Sequence, residues 1–179
     1  FKKTSVLFID QINSLSNIAS EFSNFAQMPE DKFTKFNLSE VLANTVELFI
    51  RSENVAIKTQ IDPEIWVIAD VEQLKRVFNN LIKNAIQAIP EDKAGKLEIS
   101  LKPARKMARI RVKDNGTGIP LDLYKKVFVP NFSTKNSGMG LGLAICKKII
   151  ESDKGNISFV SEVNKGTTFE VNLPIIDKA

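Results

Sequence analysis

The sequence predicts an α+β fold: a two-layer α/β sandwich, a mixed sheet covered on one face by helices, with a long helix ahead of it. Segments with apolar residues at helical spacing alternate with short runs of strand character. The final runs, 156–162 and 167–173, are separated by Asn164-Lys165-Gly166, a hairpin signal. Helices in one group, with strands paired mostly by hairpins, make an α/β sandwich with helices covering one sheet face.

Taken in order, residues 1–27 read as a helix. Phe8, Ile12, Leu15, Ala19, Phe22 and Ala26 follow a heptad seam, which Ile18 and Phe25 widen as suits a helical bundle. A lone helix cannot bury that face, so it needs another chain or a partner helix. Pro29 ends it, because the residue before proline disfavours helix. The organisation expected is therefore a helix over 1–28, a linker over 29–37 and a domain over 38–179. Asn37-Leu38-Ser39-Glu40 offers a cap for a helix near 39–52, followed by strands at 55–60 and 65–69. Asp70, with Gln73 at the capping-box position, opens a helix that runs to about Ala88. Strands follow at 96–102 and 107–113, then a short helix at 121–126, an irregular stretch to about 137, a helix at 141–152 and the final hairpin.

At 179 residues and 43% hydrophobic, the chain is sized for one domain with an appendage and has the material for a real core. The net charge of +4 is mild. Lys102, Arg105, Lys106, Arg109, Arg111 and Lys113 cluster, as nucleic-acid binders do. Yet Arg109 and Arg111 alternate with Ala108, Ile110 and Val112, the pattern of a half-buried strand with a solvated face, so no nucleic acid is expected. The single cysteine excludes an intramolecular disulfide and fits a reducing compartment. Cys146 falls on the apolar side of its helix and reads as a buried small side chain. No apolar run approaches the ~20 residues that span a bilayer, and no signal peptide is visible, so a cytoplasmic location is expected. The absence of histidine excludes an imidazole base, a histidine metal ligand or a phosphohistidine within this chain.

Five of the eight glycines fall in Asp114-Asn115-Gly116-Thr117-Gly118-Ile119-Pro120 and Gly138-Met139-Gly140-Leu141-Gly142-Leu143. Glycine at that density lets backbone approach a ligand and wrap an anion. The second segment runs into an amphipathic helix, and a glycine loop feeding a helix N-terminus is a phosphate site. On the helix at 71–88, Leu74, Val77, Phe78, Leu81, Ile82 and Ala85 define one face, with Asn80, Asn84 and Gln87 on a separate stripe. Asparagine is a mediocre helix former, so two of them one turn apart point to a task. Amide oxygens suit Mg²⁺, which takes few protein ligands alongside phosphate and water. Asp114 leads into Asn115-Gly116, a type I′ hairpin signal, but no return strand follows; the turn reads as a ligand-facing loop with Asp114 at its rim. Neither glycine run matches the dinucleotide fingerprint, and no GxxxxGK[ST] loop is present.

These residues resemble, in order, the boxes of the ATP-binding domain of sensor histidine kinases, the Bergerat-type fold shared with gyrase, MutL and the heat-shock chaperone ATPases. Asn79-Asn80-Leu81-Ile82-Lys83-Asn84-Ala85 is similar to the asparagine box and Asp114 to Pro120 to the first glycine box. Phe128-Val129-Pro130-Asn131-Phe132-Ser133-Thr134-Lys135 is similar to the phenylalanine box, Gly138 to Leu143 to the second glycine box, and Gly166-Thr167-Thr168-Phe169 fits the last strand pair. The resemblance spans about residues 38–174, and residues 1–27 are similar to the second helix of the family's dimerisation hairpin.

The resemblance implies ATP and Mg²⁺ as cofactors. Asp114 would accept a hydrogen bond from the adenine amino group with Thr167 in support, and Gly116 and Gly118 would let the backbone pass beside the base. Asn84 would ligate Mg²⁺ with Asn80 near the phosphates. Residues 128–142 would form the lid, with Lys135, Gly138, Gly140, Leu141 and Gly142 at the phosphates and Phe128 and Phe132 pinning its base. The implied activity is transfer of the γ-phosphoryl group to a histidine outside this chain, and thence to a response regulator, from a homodimer joined through the N-terminal helix. The full-length protein would have room for a membrane anchor upstream. Hydrolytic relatives carry a glutamate where this chain has Asn80, which favours transfer over a gyrase-like hydrolysis; a nucleotide-sensing module without transfer is the other alternative. The family often has a basic residue at the position of Gln87, so Lys83 or Lys135 would supply that charge.

Overall fold

The structure, a computed structural model, describes residues 32–50, 54–132 and 140–177. The expected helix at 1–27, Lys135 and Gly138 lie outside the described residues. The elements run β1 (Thr34–Asn37), α1 (Leu38–Glu47), β2 (Val55–Ile61), β3 (Trp66–Ala69), α2 (Val71–Gln87), β4 (Gly95–Ala104), β5 (Met107–Asp114), a 3₁₀ helix (Leu121–Lys126), α3 (Gly142–Ser152), β6 (Asn156–Glu162) and β7 (Gly166–Pro174).

The main sheet has five strands in the order β2-β4-β5-β7-β6. β2 runs parallel to β4 and the other neighbours are antiparallel. The β4–β5 and β6–β7 hairpins are as expected. The parallel pair needs a crossover, which β3 and α2 supply. β3 leaves the main sheet to pair with β1, from Thr34↔Ala69 to Asn37↔Trp66. The segment expected to be linker through residue 37 therefore ends in a strand. Four residues with no sustained alternation carry no local strand signal; the open edge of β3 recruits them.

Two side-chain caps start the helices where the sequence places them. Asn37 Oδ1 accepts from Ser39 N (3.1 Å) and its Nδ2 donates to Glu40 Oε1 (2.9 Å). Asp70 Oδ1 accepts from Glu72 N (2.9 Å) and Gln73 N (3.1 Å), and Oδ2 from Lys32 N (2.8 Å). Burial alone would raise the Asp70 carboxyl, but the amides of Lys32, Gln73 and Glu72 together hold it below the usual aspartate value. α1 stops at Glu47, short of the expected end, because Phe49 and Ile50 continue the apolar pattern only in i→i+3 turns.

α2 lies between α1 and α3 against the sheet. Its apolar stripe, Leu74, Val77, Phe78, Leu81, Ile82 and Ala85, is buried throughout, each larger side chain contributing about 1.5–3 kcal/mol. It meets the inward residues of the strands, among them Leu97 and Ile99 on β4, Ile110 and Val112 on β5, and Val171 on β7. The opposite sheet face is the solvated one expected: Arg111 Nε donates to Glu170 Oε2 (2.7 Å) and Lys113 Nζ to Glu98 Oε2 (3.4 Å). These basic side chains are paired with neighbours on their own sheet, as a solvated face is.

Candidate functional site

On β5 the inward positions are Ala108, Ile110, Val112 and then Asp114, so strand periodicity carries a carboxylate onto the apolar face at the strand's last residue. Asp114 is 4% exposed. Its Oδ1 accepts from Gly116 N (2.8 Å) and Thr167 N (3.2 Å). Burial pushes the carboxyl above its ordinary value, against the pull of the Gly116 and Thr167 amides and the Lys93 ammonium. A buried acceptor kept at that cost is the mark of a group with a task.

Glycine is required around it. Gly118 has φ of +71°, and a Cβ there would lie 2.2 Å from the Glu162 carbonyl oxygen. Gly166, beside Thr167, has φ of +121°, and its Cβ would lie 2.1 Å from the Asp114 carbonyl oxygen. Gly116 rests on the end of α2, where a Cβ would lie 2.5 Å from the Ala88 carbonyl oxygen, and Thr117 N donates to that same oxygen (2.9 Å). Asn115, by contrast, is tied down: its Oδ1 accepts from Lys96 N (2.8 Å) and its Nδ2 donates to Ala94 O (3.0 Å).

The second glycine segment meets the same helix about two turns upstream. The amide of Asn80 lies beside Gly142, whose Cβ would stand 3.6 Å from Asn80 Cγ, and close to Cys146, whose Sγ donates to Val77 O (3.8 Å). Asn80 is thus not on a stripe well clear of the packing, as the helical wheel implies; α3 settles against that flank of α2 and takes it up. Cys146 is buried as expected, and burial pushes its thiol up to about 12 against the pull of the Asn80 amide. Asn80, Asn84 and Ala88 recur every fourth residue, so one face of α2 links the two glycine segments over about 12 Å with Asn84 between them. Leu141 is 2% exposed, so its side chain belongs to the core and only its backbone is available to a ligand.

Phe128 is pinned as expected, edge-on to Phe159 (5.8 Å) and Phe169 (6.4 Å), with Tyr124 also against Phe159 (4.9 Å). Gly140, φ +67°, sits so close to the Phe132 backbone that a Cβ would lie 2.2 Å from the Phe132 carbonyl oxygen. The structure also adds residues the sequence reading did not single out. Ser161 Oγ bonds Ile119 N (2.8 Å) and Thr167 Oγ1 (2.8 Å), Tyr124 OH donates to Ser161 O, and Lys93 Nζ donates to Asn115 O. Ser161 was reachable in principle, because the hairpin turn sets it opposite Thr167.

Among the described residues no group of three or more His, Cys, Asp or Glu side chains is arranged to hold a metal. On this face of α2 Asn80 and Asn84 carry amide oxygens, a donor type that suits a cation completed by phosphate oxygens and water. Among the described residues, no helix is long and apolar enough to cross a membrane.

The family described as "Histidine kinase-, DNA gyrase B-, and HSP90-like ATPase" matches residues 69–177, more than half of the chain. Sporulation kinase B of Bacillus subtilis (strain 168) is 32% identical over 171 residues, covering 94% of this chain and 40% of its own length. The chain thus spans less than half the length of that curated relative. The catalytic domain of histidine kinase ThkA superposes with a TM-score of 0.72 at 37% identity, covering 80% of this chain and 95% of that one. ThkA in complex with the response regulator TrrA gives a TM-score of 0.76 at 32% identity, covering 92% of this chain and 49% of that one. The chain belongs to the histidine kinase-, DNA gyrase B- and HSP90-like ATPase family, within which it is a catalytic ATP-binding domain of the histidine kinase type.

Proposed function

We propose that this chain binds Mg-ATP and donates its γ-phosphoryl group to a histidine outside the chain, as the kinase core of a two-component sensor. The observation that carries the reading is the buried Asp114, with one oxygen held by two backbone amides and glycines around it that no side chain could replace. Asp114 accepts from the adenine amino group, with Thr167 in support and Gly116 and Gly118 passing beside the base. Gly140, Gly142 and the Leu141 backbone, with Lys135 and Gly138, hold the β- and γ-phosphates. Asn84 ligates Mg²⁺, and Asn80 lies near the phosphates while fixing α3 on α2. Held there, Mg²⁺ would supply charge neutralisation to the phosphates as the γ-phosphoryl group is transferred. An amide at Asn80 cannot take a proton from water, which favours transfer over hydrolysis.

The rest of the reading rests on the resemblance seen in the sequence. Residues 1–28 supply part of a dimerisation helix, 29–37 lead into the catalytic domain at 38–179, and the acceptor histidine lies on a helix of the same full-length protein. The phosphoryl group passes on to a response regulator, since ThkA is found with one. We place the domain in the cytoplasm, with any membrane anchor upstream. Calorimetric titration with ATP, with and without Mg²⁺, tests the cation assignment: Asn84→Ala retains ATP binding and loses at least about tenfold of the Mg²⁺-dependent gain. An equal gain in both proteins contradicts it.

A further inference from the structure

Asp114, Thr167 and Ser161 stand in one row across β5, β7 and β6 at the end of the sheet. Ser161 is directly opposite Thr167, and the Lys113↔Thr168 pair brings Asp114 beside Thr167. Ser161 Oγ has three neighbours within hydrogen-bond distance: Ile119 N at 2.8 Å, the Gly166 carbonyl oxygen at 3.1 Å and Thr167 Oγ1 at 2.8 Å. A hydroxyl has one proton and two lone pairs. The Ile119 amide can only donate and the Gly166 carbonyl can only accept. The Ser161 proton therefore goes to Gly166, and one lone pair takes the Ile119 amide. What remains is a second lone pair, which Thr167 meets with its own proton. In this arrangement all three capacities of Ser161 are used, and Thr167 has only lone pairs left to offer.

We propose that Ser161 is a positioning residue that sets base specificity, by holding the Thr167 hydroxyl as an acceptor beside Asp114; this rests on the reading of Asp114 as the base site. An ionised Asp114 is likewise an acceptor only. Two acceptors side by side match an exocyclic amino group, which carries two protons, and repel a carbonyl oxygen. Adenine has the amino group where hypoxanthine has the carbonyl. Ser161 thus contributes to the preference for adenine without touching the base.

The test compares ATP and inosine triphosphate, titrated calorimetrically into the whole chain with Mg²⁺. Ser161→Ala frees the Thr167 hydroxyl to turn and donate to the carbonyl. The preference for ATP then narrows by about five- to tenfold, the worth of one neutral hydrogen bond. Ser161→Thr keeps a hydroxyl and restores the preference. Because Ser161 acts through Thr167, adding Ser161→Ala to Thr167→Val narrows the ratio no further than Thr167→Val alone. A residue that merely anchors the turn would weaken both nucleotides equally, and an unchanged ratio overturns the inference. If Ser161→Ala does not fold, Ser161→Cys, similar in shape but a poor acceptor, takes its place. A wild-type chain that shows no preference for ATP contradicts the base-site reading and this inference with it. A preference indifferent to Ser161 overturns this inference alone.

Discussion

Replacing Asp114 by asparagine removes a charge and exchanges one oxygen for an amino group, leaving the side chain's shape intact. The remaining oxygen can still accept from the Gly116 and Thr167 amides, so the loop stays anchored. The other position becomes a donor facing the adenine amino group. Losing a hydrogen bond to a charged acceptor costs about 1.5–3 kcal/mol, roughly ten- to 150-fold in Kd, and two opposed donors add to that. Stability moves the other way. Burial raises the Asp114 carboxyl, so folding disfavours its ionised form. A raised folded pKa contributes stability that is fully present below the unfolded value of about 3.9 and lost as pH rises through the folded one. At neutral pH the variant is therefore at least as stable as wild type, and wild type gains relative to it on acidification. ATP calorimetry beside urea unfolding between about pH 4 and 7 reads both effects. Unchanged affinity in a folded variant refutes the base assignment, and a variant destabilised at neutral pH refutes the electrostatic argument.

Two further substitutions test the scaffold. Gly118→Ala places a Cβ 2.2 Å from a backbone oxygen at φ of +71° and should cost roughly 2–5 kcal/mol, whereas a Cβ at Gly142 makes an ordinary 3.6 Å contact with Asn80 and should not lower stability. Equal urea midpoints for the two variants would contradict this. Asp70→Ala removes the cap of α2 and should cost about 1–2 kcal/mol at neutral pH. The folded Asp70 carboxyl lies below its unfolded value, so its stabilisation is present above about pH 4 and disappears as pH falls through the folded value. A cost that persists in strong acid would show that the carboxylate charge is not responsible.

What the sequence makes legible is what local chemistry decides. α2 is readable nearly residue by residue, because Asp70 caps it and six apolar positions at helical spacing fix its buried face. The glycine segments are readable because backbone near a ligand or at positive φ tolerates little else. Non-local decisions are not written in this way. β1 exists through the edge that β3 offers, and the parallel pairing of β2 with β4 depends on where the crossover helix lands. Asn80 was placed by helix geometry on a polar stripe, but α3 packs on that flank and draws its amide to Gly142 and Cys146. Leu141 sits inside a phosphate-binding pattern, yet its side chain fills the core. Ser161 lay within reach of a register count from the last hairpin, but a single serine in a strand has no pattern to announce it.

In the proposed function this chain holds a phosphoryl donor whose acceptor lies elsewhere. The most direct measurement incubates the chain with Mg²⁺ and ATP labelled on the γ-phosphate, alone and with a histidine-bearing hairpin helix supplied in trans. Transfer predicts acid-labile label on the supplied helix, none on this histidine-free chain, and little free phosphate when the helix is withheld. Steady phosphate release by the chain alone, with no label reaching the helix, would contradict it.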